Sequence, residues 1–464
     1  MKNTTAWEKY GKKELKELEA LNSEYKAFLD GGKTERECVD QVVEMAEKAG
    51  YEELGGVLAS GRKIKAGDKL YAVCMGKTIA MFNIGSEPLE CGMNILGAHI
   101  DSPRLDVKGN PLYESNGQAY LDTHYYGGIK KYLWVTQPMA IHGVVCKKDG
   151  TTVKLAIGED PKDPVFVFTD LLIHLSHAQM DKKASDVVSG EALDLLVGNR
   201  PLAKADLGED EKEAVKANVL RLIKDKYGFD EEDFYSAELE IVPAGKARDC
   251  GFDSSMILAY GHDDRVCAFT SLKAMLDVEA GKRTTCCLLV DKEEIGSVGA
   301  TGMSGHFFEN AVAELVANME GESALKTRKA LANSMMLSSD VDAAYDPLYA
   351  EAYEAKNSAY MSCGLALMKF TGSRGKGGSN DANAEYLGRL RKLMDDANVN
   401  YQTAELGKVD QGGGGTIAYI CAVYGMEVID SGVAVLSMHA PWEIISKADL
   451  YEAVKAYRAF MLNA

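Results

Sequence analysis

Two adjacent glutamates, Glu293 and Glu294, stand where an apolar run, 286–290, gives way to a Gly-punctuated loop. Neighbouring carboxylates repel, so a pair at a strand end is easiest to tolerate when one binds a cation and the other carries a proton. Taken alone, a Glu-Glu pair reads as a solvated acidic turn. The arrangement recurs, however. His99, Asp263, Glu294, Asp340 and His439 each follow a short apolar strand pattern and can each bind a hard or borderline cation. Open α/β sheets build their sites at the carboxyl ends of strands, so these five can converge on one crevice. Imidazole nitrogens and carboxylate oxygens without thiolate suit zinc, cobalt or manganese in a catalytic, incompletely filled coordination sphere. Two histidines and three carboxylates are too many for one such ion and match two ions sharing a carboxylate.

Neighbouring residues refine the reading. Asp101 lies two residues beyond His99, where it can fix the imidazole tautomer for a metal. Asp264 competes with Asp263, and Asp342 with Asp340; spacing leaves both pairs open. His124, His142, His262 and His306 read as ordinary core or surface histidines. The glycines at 412–415 lack the Gly-Lys-Ser/Thr ending of a phosphate loop and read as a tight turn into a helix.

The elements that must position these residues follow from periodicity. Helical spacings cover 5–30, and Thr34-x-x-Glu37 has the form of a capping box at the start of a second helix. A hairpin is expected over 69–85, then the run 93–98 that ends at His99. Beyond Asp106 the texture becomes short alternating strands and turns, including 139–146, 152–157, 165–175 and 237–242, with a polar, partly helical segment at 181–227. The βα rhythm resumes with a strand over 256–260, a helix over 266–280, the 286–290 strand, a helix over 307–319 and a strand over 335–338. It ends with a helix over 383–398, strands over 403–408 and 433–437, and a final helix over 447–462. The organisation predicted is a catalytic domain in two parts, 1–106 and 248–464, interrupted by a β-rich insert at 107–247.

Composition bounds the rest. A chain of 464 residues can bury a sizeable core, and a net charge of −18 excludes nucleic acid and anionic membrane as expected partners. Ten scattered cysteines without a Cys-x-x-Cys pair read as free thiols. With no apolar leader pattern and no run long enough to cross a bilayer, a soluble cytoplasmic protein is expected.

The ordered set Ala98-His99-Ile100-Asp101-Ser102-Pro103, His262-Asp263-Asp264-Arg265, Glu293-Glu294-Ile295-Gly296-Ser297, Ser339-Asp340 and Ser437-Met438-His439 resembles the M18 family of metallo-aminopeptidases, the aspartyl aminopeptidases, over nearly the whole chain. The resemblance implies an α/β fold: a mixed-sheet zinc-peptidase catalytic domain with an inserted β-rich dimerisation domain, assembled as a homo-oligomer, a dodecamer in the family. It implies two zinc ions, one held by His99, Asp263 and Asp340 and the other by Asp263, Glu294 and His439. Glu293 becomes the general base and Asp101 the residue that orients His99. A cis Asp263-Asp264 bond is expected on the same ground. Arg374, or Lys376 in its place, would read an acidic substrate side chain from the Gly-rich loop 372–378. His174 and His177 become candidates to reach a neighbour's site. Tyr125-Tyr126-Gly127-Gly128 is similar to a family segment and has no role of its own in this reading.

The reaction expected is removal of an N-terminal residue, aspartyl or glutamyl, from peptides with a free α-amine, by attack of a metal-bridging hydroxide on the carbonyl. A carboxypeptidase or deacylase of the same architecture is the nearest alternative, and a non-catalytic assembly protein the more distant one.

Overall fold

The structure, a computed structural model, describes residues 4–206, 208 and 212–464. The chain divides into two compact units: Met1–Asp101, Ala247–Met438 and Glu443–Ala464 form the first, and Ser102–Lys246 with His439–Trp442 form the second.

A nine-stranded mixed sheet organises the first unit. Its order is Glu52–Glu53, Lys69–Cys74, Thr78–Asn83, Thr284–Val290, Met93–His99, Met335–Ser339, Glu427–Gly432, Leu365–Met368, Tyr401–Ala404. Three adjacent strands in its middle lead to candidate residues. Thr284–Val290 runs parallel to Met93–His99 with Val290 opposite His99, and Met335–Ser339 runs parallel on the other side. All three are buried along their length, because both faces of the sheet are covered. Alternate residues divide between two cores: Leu96, Ala98, Cys287 and Leu289 face Phe269, Leu272 and Val454, whereas Ile95, Cys286 and Leu288 face Phe308, Val312 and Leu315. A second, five-stranded sheet contains Arg248–Cys250, Met256–Ala259, Glu443–Ser446, Ala434–Leu436 and Asp342–Ala343.

Local signals explain much of this unit. The capping box forms, with Thr34 Oγ1 accepting from the Glu37 N–H and Glu37 Oε2 accepting from the Thr34 N–H, each at 3.2 Å, ahead of the helix Glu35–Lys48. The hairpin is present as Lys69–Cys74 paired antiparallel with Thr78–Asn83.

Two expectations need correction, and two strands were not foreseen. The strand placed at 403–408 runs instead over Tyr401–Ala404, because the chain turns at Gly407, where φ is 71°. The strand placed at 433–437 is Ala434–Leu436 of the small sheet, and Glu427–Gly432 of the large sheet, just ahead of it, was not foreseen. The break falls at Gly432, where a Cβ would lie 1.8 Å from the Asp340 carbonyl oxygen, an approach that only glycine permits. Buried Leu365–Met368, too short to show a period, was not foreseen. The helix expected over 266–280 is assigned as His262–Asp277, with non-helical backbone at Asp263 and Asp264.

The second unit is a seven-stranded sheet in the order Thr152–Ile157, Met139–Cys146, Ala237–Pro243, Arg104–Ser115, Gln118–Tyr126, Leu195–Gly198, Val167–Phe168. Its described helices include Ala214–Tyr227, ended by Gly228 in the left-handed conformation. Part of the polar segment at 181–227, residues 207 and 209–211, lies outside the described residues. The strand expected over 165–175 shrinks to Val167–Phe168 and is followed by a short turn, Ile173–Leu175. The apolar residues after Asp170 do not alternate with polar ones, and they lie exposed: Leu172 is 53%, Ile173 70% and Leu175 68% accessible.

Candidate metal centre

The site begins at the end of the Met93–His99 strand, where the His99 ring is buried and bonded at both nitrogens. Nδ1 lies 3.0 Å from the Asp101 carbonyl oxygen and 3.2 Å from Asp101 Oδ1, while Nε2 lies 3.2 Å from Asp263 Oδ1 and 3.9 Å from Glu293 Oε2. With Nδ1–H donating to Asp101, Nε2 carries the lone pair a metal needs. The Asp101 carboxylate reaches further. Its Oδ1 accepts the Glu293 N–H and its Oδ2 the Glu294 N–H, both at 3.1 Å, so one buried carboxylate ties the His99 strand end to the turn Glu293–Ile295.

His99, Asp263 and Asp340 each present a ligand atom within 4.8 Å of the other two, and all three residues are buried. Asp263 also offers a carboxylate oxygen within that distance of one from Glu294. Of the two ambiguous pairs, Asp263 and Asp340 join the cluster. Asp342 lies in the small sheet and accepts from the Ala343 N–H at 2.8 Å. The Asp263-Asp264 peptide bond is cis.

The electrostatics favour a cation. Burial alone would lower the His99 pKa, but the Asp101 and Asp263 carboxylates outweigh it and hold the imidazolium well above its ordinary range. Burial raises the Asp340 carboxyl, and the charges of Asp264, Glu293 and Asp263 push it in the same direction. The donors are thus a nitrogen and several oxygens in a buried region with excess negative charge. This fits a divalent ion of the zinc type and not a soft, thiol-seeking one.

The remaining candidates are His439, Arg374, Lys376, His174 and His177. His439 follows the strand Ala434–Leu436 and belongs to the segment grouped with the second unit, where its Nδ1 is 2.7 Å from the Gly128 carbonyl oxygen. That contact gives the Tyr-Tyr-Gly-Gly segment a use the sequence did not suggest. Arg374 and Lys376 sit at the tip of a small hairpin closed by the Ser373–Gly377 and Phe370–Asp381 bridges. Lys376 Nζ is paired with Asp381 at 2.9 Å and lies 3.9 Å from the Phe370 ring centre, whereas Arg374 is exposed and makes no ion pair with any described residue. His174 is exposed in the turn Ile173–Leu175, and His177 is exposed at the start of His177–Met180. His262 is a core residue: it is fully buried, with Nδ1 2.7 Å from the Tyr25 hydroxyl and Nε2 3.1 Å from the Ile257 carbonyl oxygen.

Residues 28–461 match the family model described as aminopeptidase I zinc metalloprotease (M18). The chain belongs to the M18 family. This makes it a metallo-aminopeptidase, a zinc hydrolase of peptide bonds, and sets aside the carboxypeptidase, deacylase and assembly-protein alternatives. Among similar proteins is the probable M18 family aminopeptidase 1 of Clostridium acetobutylicum, 58% identical over 458 residues, which cover 99% of this chain and 98% of the relative. The solved structure of aminopeptidase I from that organism matches at 57% identity and a TM-score of 0.93, covering 100% of both chains. That of an M18 aminopeptidase from Thermotoga maritima matches at 43% and 0.94, also over 100% of both. The mApe1 dodecamer of S. cerevisiae, at 21% identity, shares the fold with a TM-score of 0.76 over 94% of this chain and 95% of its own.

Two supports of this cluster escaped the sequence reading. Tyr25, 237 residues away in the chain, holds the His262 ring beside Asp263. Arg265, fully buried, donates through its guanidinium to the carbonyls of Gly32, Tyr260 and Gly261. Arg265 stood inside the quoted motif, and an arginine in a run that buries a helix was the available signal; nothing local marked Tyr25.

Proposed function

We propose that the M18 chain is a two-metal aminopeptidase that removes N-terminal aspartyl and glutamyl residues from peptides. In this reading His99, Asp263 and Asp340 hold one zinc ion, Asp263, Glu294 and His439 hold the other, and Asp263 is shared. Bound divalent ions lower the pKa of water and polarise a peptide carbonyl. Glu293 takes the proton of the attacking water and returns it to the leaving amine, a role suited to a carboxylate beside the ligands but not among them. Asp101 orients His99 through Nδ1 and holds Glu293 through its backbone N–H. The substrate's free α-amine is read by carboxylates of the site. The observation that carries the proposal is the convergence of His99, Asp263 and Asp340 beside Glu293.

Arg374 is the residue proposed to meet the acidic side chain, and the ion pair between Lys376 and Asp381 supports this choice over Lys376. Homo-oligomerisation through the insert, as a dodecamer like that of mApe1, is supported by the exposed leucine and isoleucine side chains at 171–175. His174, within that stretch, is the candidate to enter a neighbour's site. Among the described residues no helix is long and apolar enough to cross a membrane. All ten cysteines are free thiols, which supports residence in a reducing compartment, the cytoplasm.

Metal analysis alongside hydrolysis of free and N-acetylated aspartyl, glutamyl and leucyl substrates tests this function. Two ions per chain, cleavage of the free acidic substrates and none of the acetylated ones is the expected result. One ion per chain, or equal rates on leucyl substrates, overturns the corresponding part.

A further inference from the structure

We infer that Glu443 is a positioning residue for the metal centre, holding the turn that presents Asp263 by its own backbone; the inference rests on Asp263 being a metal ligand, as proposed above. The Asp263 N–H donates to Glu443 Oε2 at 3.0 Å, and Glu443 is 1% exposed. Two features explain why the contact exists. Glu443 opens the strand Glu443–Ser446, which pairs antiparallel with Met256–Ala259 and sets Glu443 opposite Ala259. The chain then leaves that strand through Tyr260 and Gly261 directly into Asp263. The Asp263 backbone is not helical, with φ −79° and ψ 108°, and it lies in the first turn of the helix, where N–H groups have no intrahelical acceptor.

The acceptor's chemistry points beyond structure. An ionised carboxylate accepts an N–H more strongly than a neutral carbonyl or amide does. Glu443 also adds a charge-assisted bond to the ligand-bearing residue itself, and outer partners of metal ligands set both ligand orientation and affinity.

The test uses the full-length, zinc-loaded protein and two variants. Glu443→Gln keeps the shape and an acceptor oxygen but removes the charge; Glu443→Ala removes both. The measurements are zinc per chain, zinc affinity by chelator competition, kcat and KM on an aspartyl substrate, and the thermal midpoint of the metal-free protein. Expected for Glu443→Gln is a roughly ten- to hundred-fold loss of zinc affinity with a lower kcat, a KM within about two-fold, and an unchanged metal-free midpoint. Glu443→Ala should lose more. Wild-type zinc affinity and kcat in Glu443→Gln overturn the inference, as does a loss of affinity fully matched by a fall in the metal-free midpoint. If Glu443→Ala does not fold, Glu443→Gln decides alone. Asp263→Asn separates this from the reading beneath it: if that variant keeps its zinc, the assignment of Asp263 fails; if it loses zinc while the Glu443 variants keep theirs, only the role of Glu443 fails.

Discussion

Asp101 and Glu293, 192 residues apart in the chain, are joined by a 3.1 Å hydrogen bond from the Glu293 N–H to Asp101 Oδ1. Because Oδ2 of the same carboxylate accepts the Glu294 N–H and Oδ1 also faces His99 Nδ1, one side chain controls three residues of the proposed centre. Asp101→Asn can replace only part of this, since an amide offers one acceptor oxygen. The variant should lose about ten- to hundred-fold in zinc affinity or kcat/KM, and Asp101→Ala more. Titration with a chelator and steady-state kinetics would measure both.

Glu293→Gln should reduce kcat by about a hundred-fold or more while leaving zinc content unchanged, because the proposed base is not a ligand. Glu294→Gln should lose zinc and activity together. Metal analysis of the purified variants beside their rates checks the distinction; near-normal turnover in Glu293→Gln would falsify the assignment of the base.

Arg374→Ala should remove most of the preference for acidic substrates without affecting metal binding. A desolvated guanidinium–carboxylate contact contributes about 1.5 to 3 kcal/mol, roughly ten-fold to more than a hundred-fold in discrimination. Lys376→Ala should change the ratio less, since Lys376 is already paired with Asp381 and lies against Phe370. The readout is the ratio of kcat/KM for aspartyl and leucyl substrates, and an unchanged ratio in both variants would show that the hairpin does not read the substrate.

Ile173→Glu should shift the protein toward smaller species. Leu172, Ile173 and Leu175 are each more than half exposed and adjacent along the chain, a patch that self-association would bury. Light scattering at micromolar concentration compares the variant with the wild type; equal masses would remove this turn from the proposed interface.

Buried Asp430 predicts a pH dependence of stability. Burial drives its carboxyl up to about 7, against the downward pull of the Thr416 hydroxyl that donates to Oδ1 at 2.6 Å. An unfolded aspartyl group titrates near 3.9. The folded state therefore binds the proton more tightly, and this contribution to stability is complete below about pH 3.9 and lost as pH rises through about 7. Asp430→Asn, neutral throughout, should show a smaller fall in urea midpoint between pH 5 and 8 than the wild type. Parallel curves would place the titration elsewhere.

The residues at strand ends were visible in the sequence because buried parallel strands are continuously apolar, and a charged or imidazole residue at their close stands out. Which ends become neighbours was not visible. The pairing of Val290 with His99 depends on sheet order, and sheet order is a long-range property without a local signature. Short elements failed for a related reason: Leu365–Met368 has four residues, too few to show a period, and the split at Gly432 answers to the Asp340 carbonyl far away in the chain. Lys376 stood in the sequence as the alternative to Arg374 because its partner, Asp381, is brought close only by the hairpin.

The separation of Asp101 and Glu293, 192 positions along the chain, also sets a clock for the ribosome. At about 5 to 20 residues per second, on the order of ten to forty seconds pass between synthesis of the His99 strand and arrival of its neighbour Thr284–Val290. Throughout that interval the nascent chain carries His99 and Asp101 without Glu293, Glu294 or Asp340. The proposed peptide-cleaving centre, divided in this way, cannot be assembled until most of the chain has emerged, so translation order alone would delay the hydrolase from acting while it is still being made.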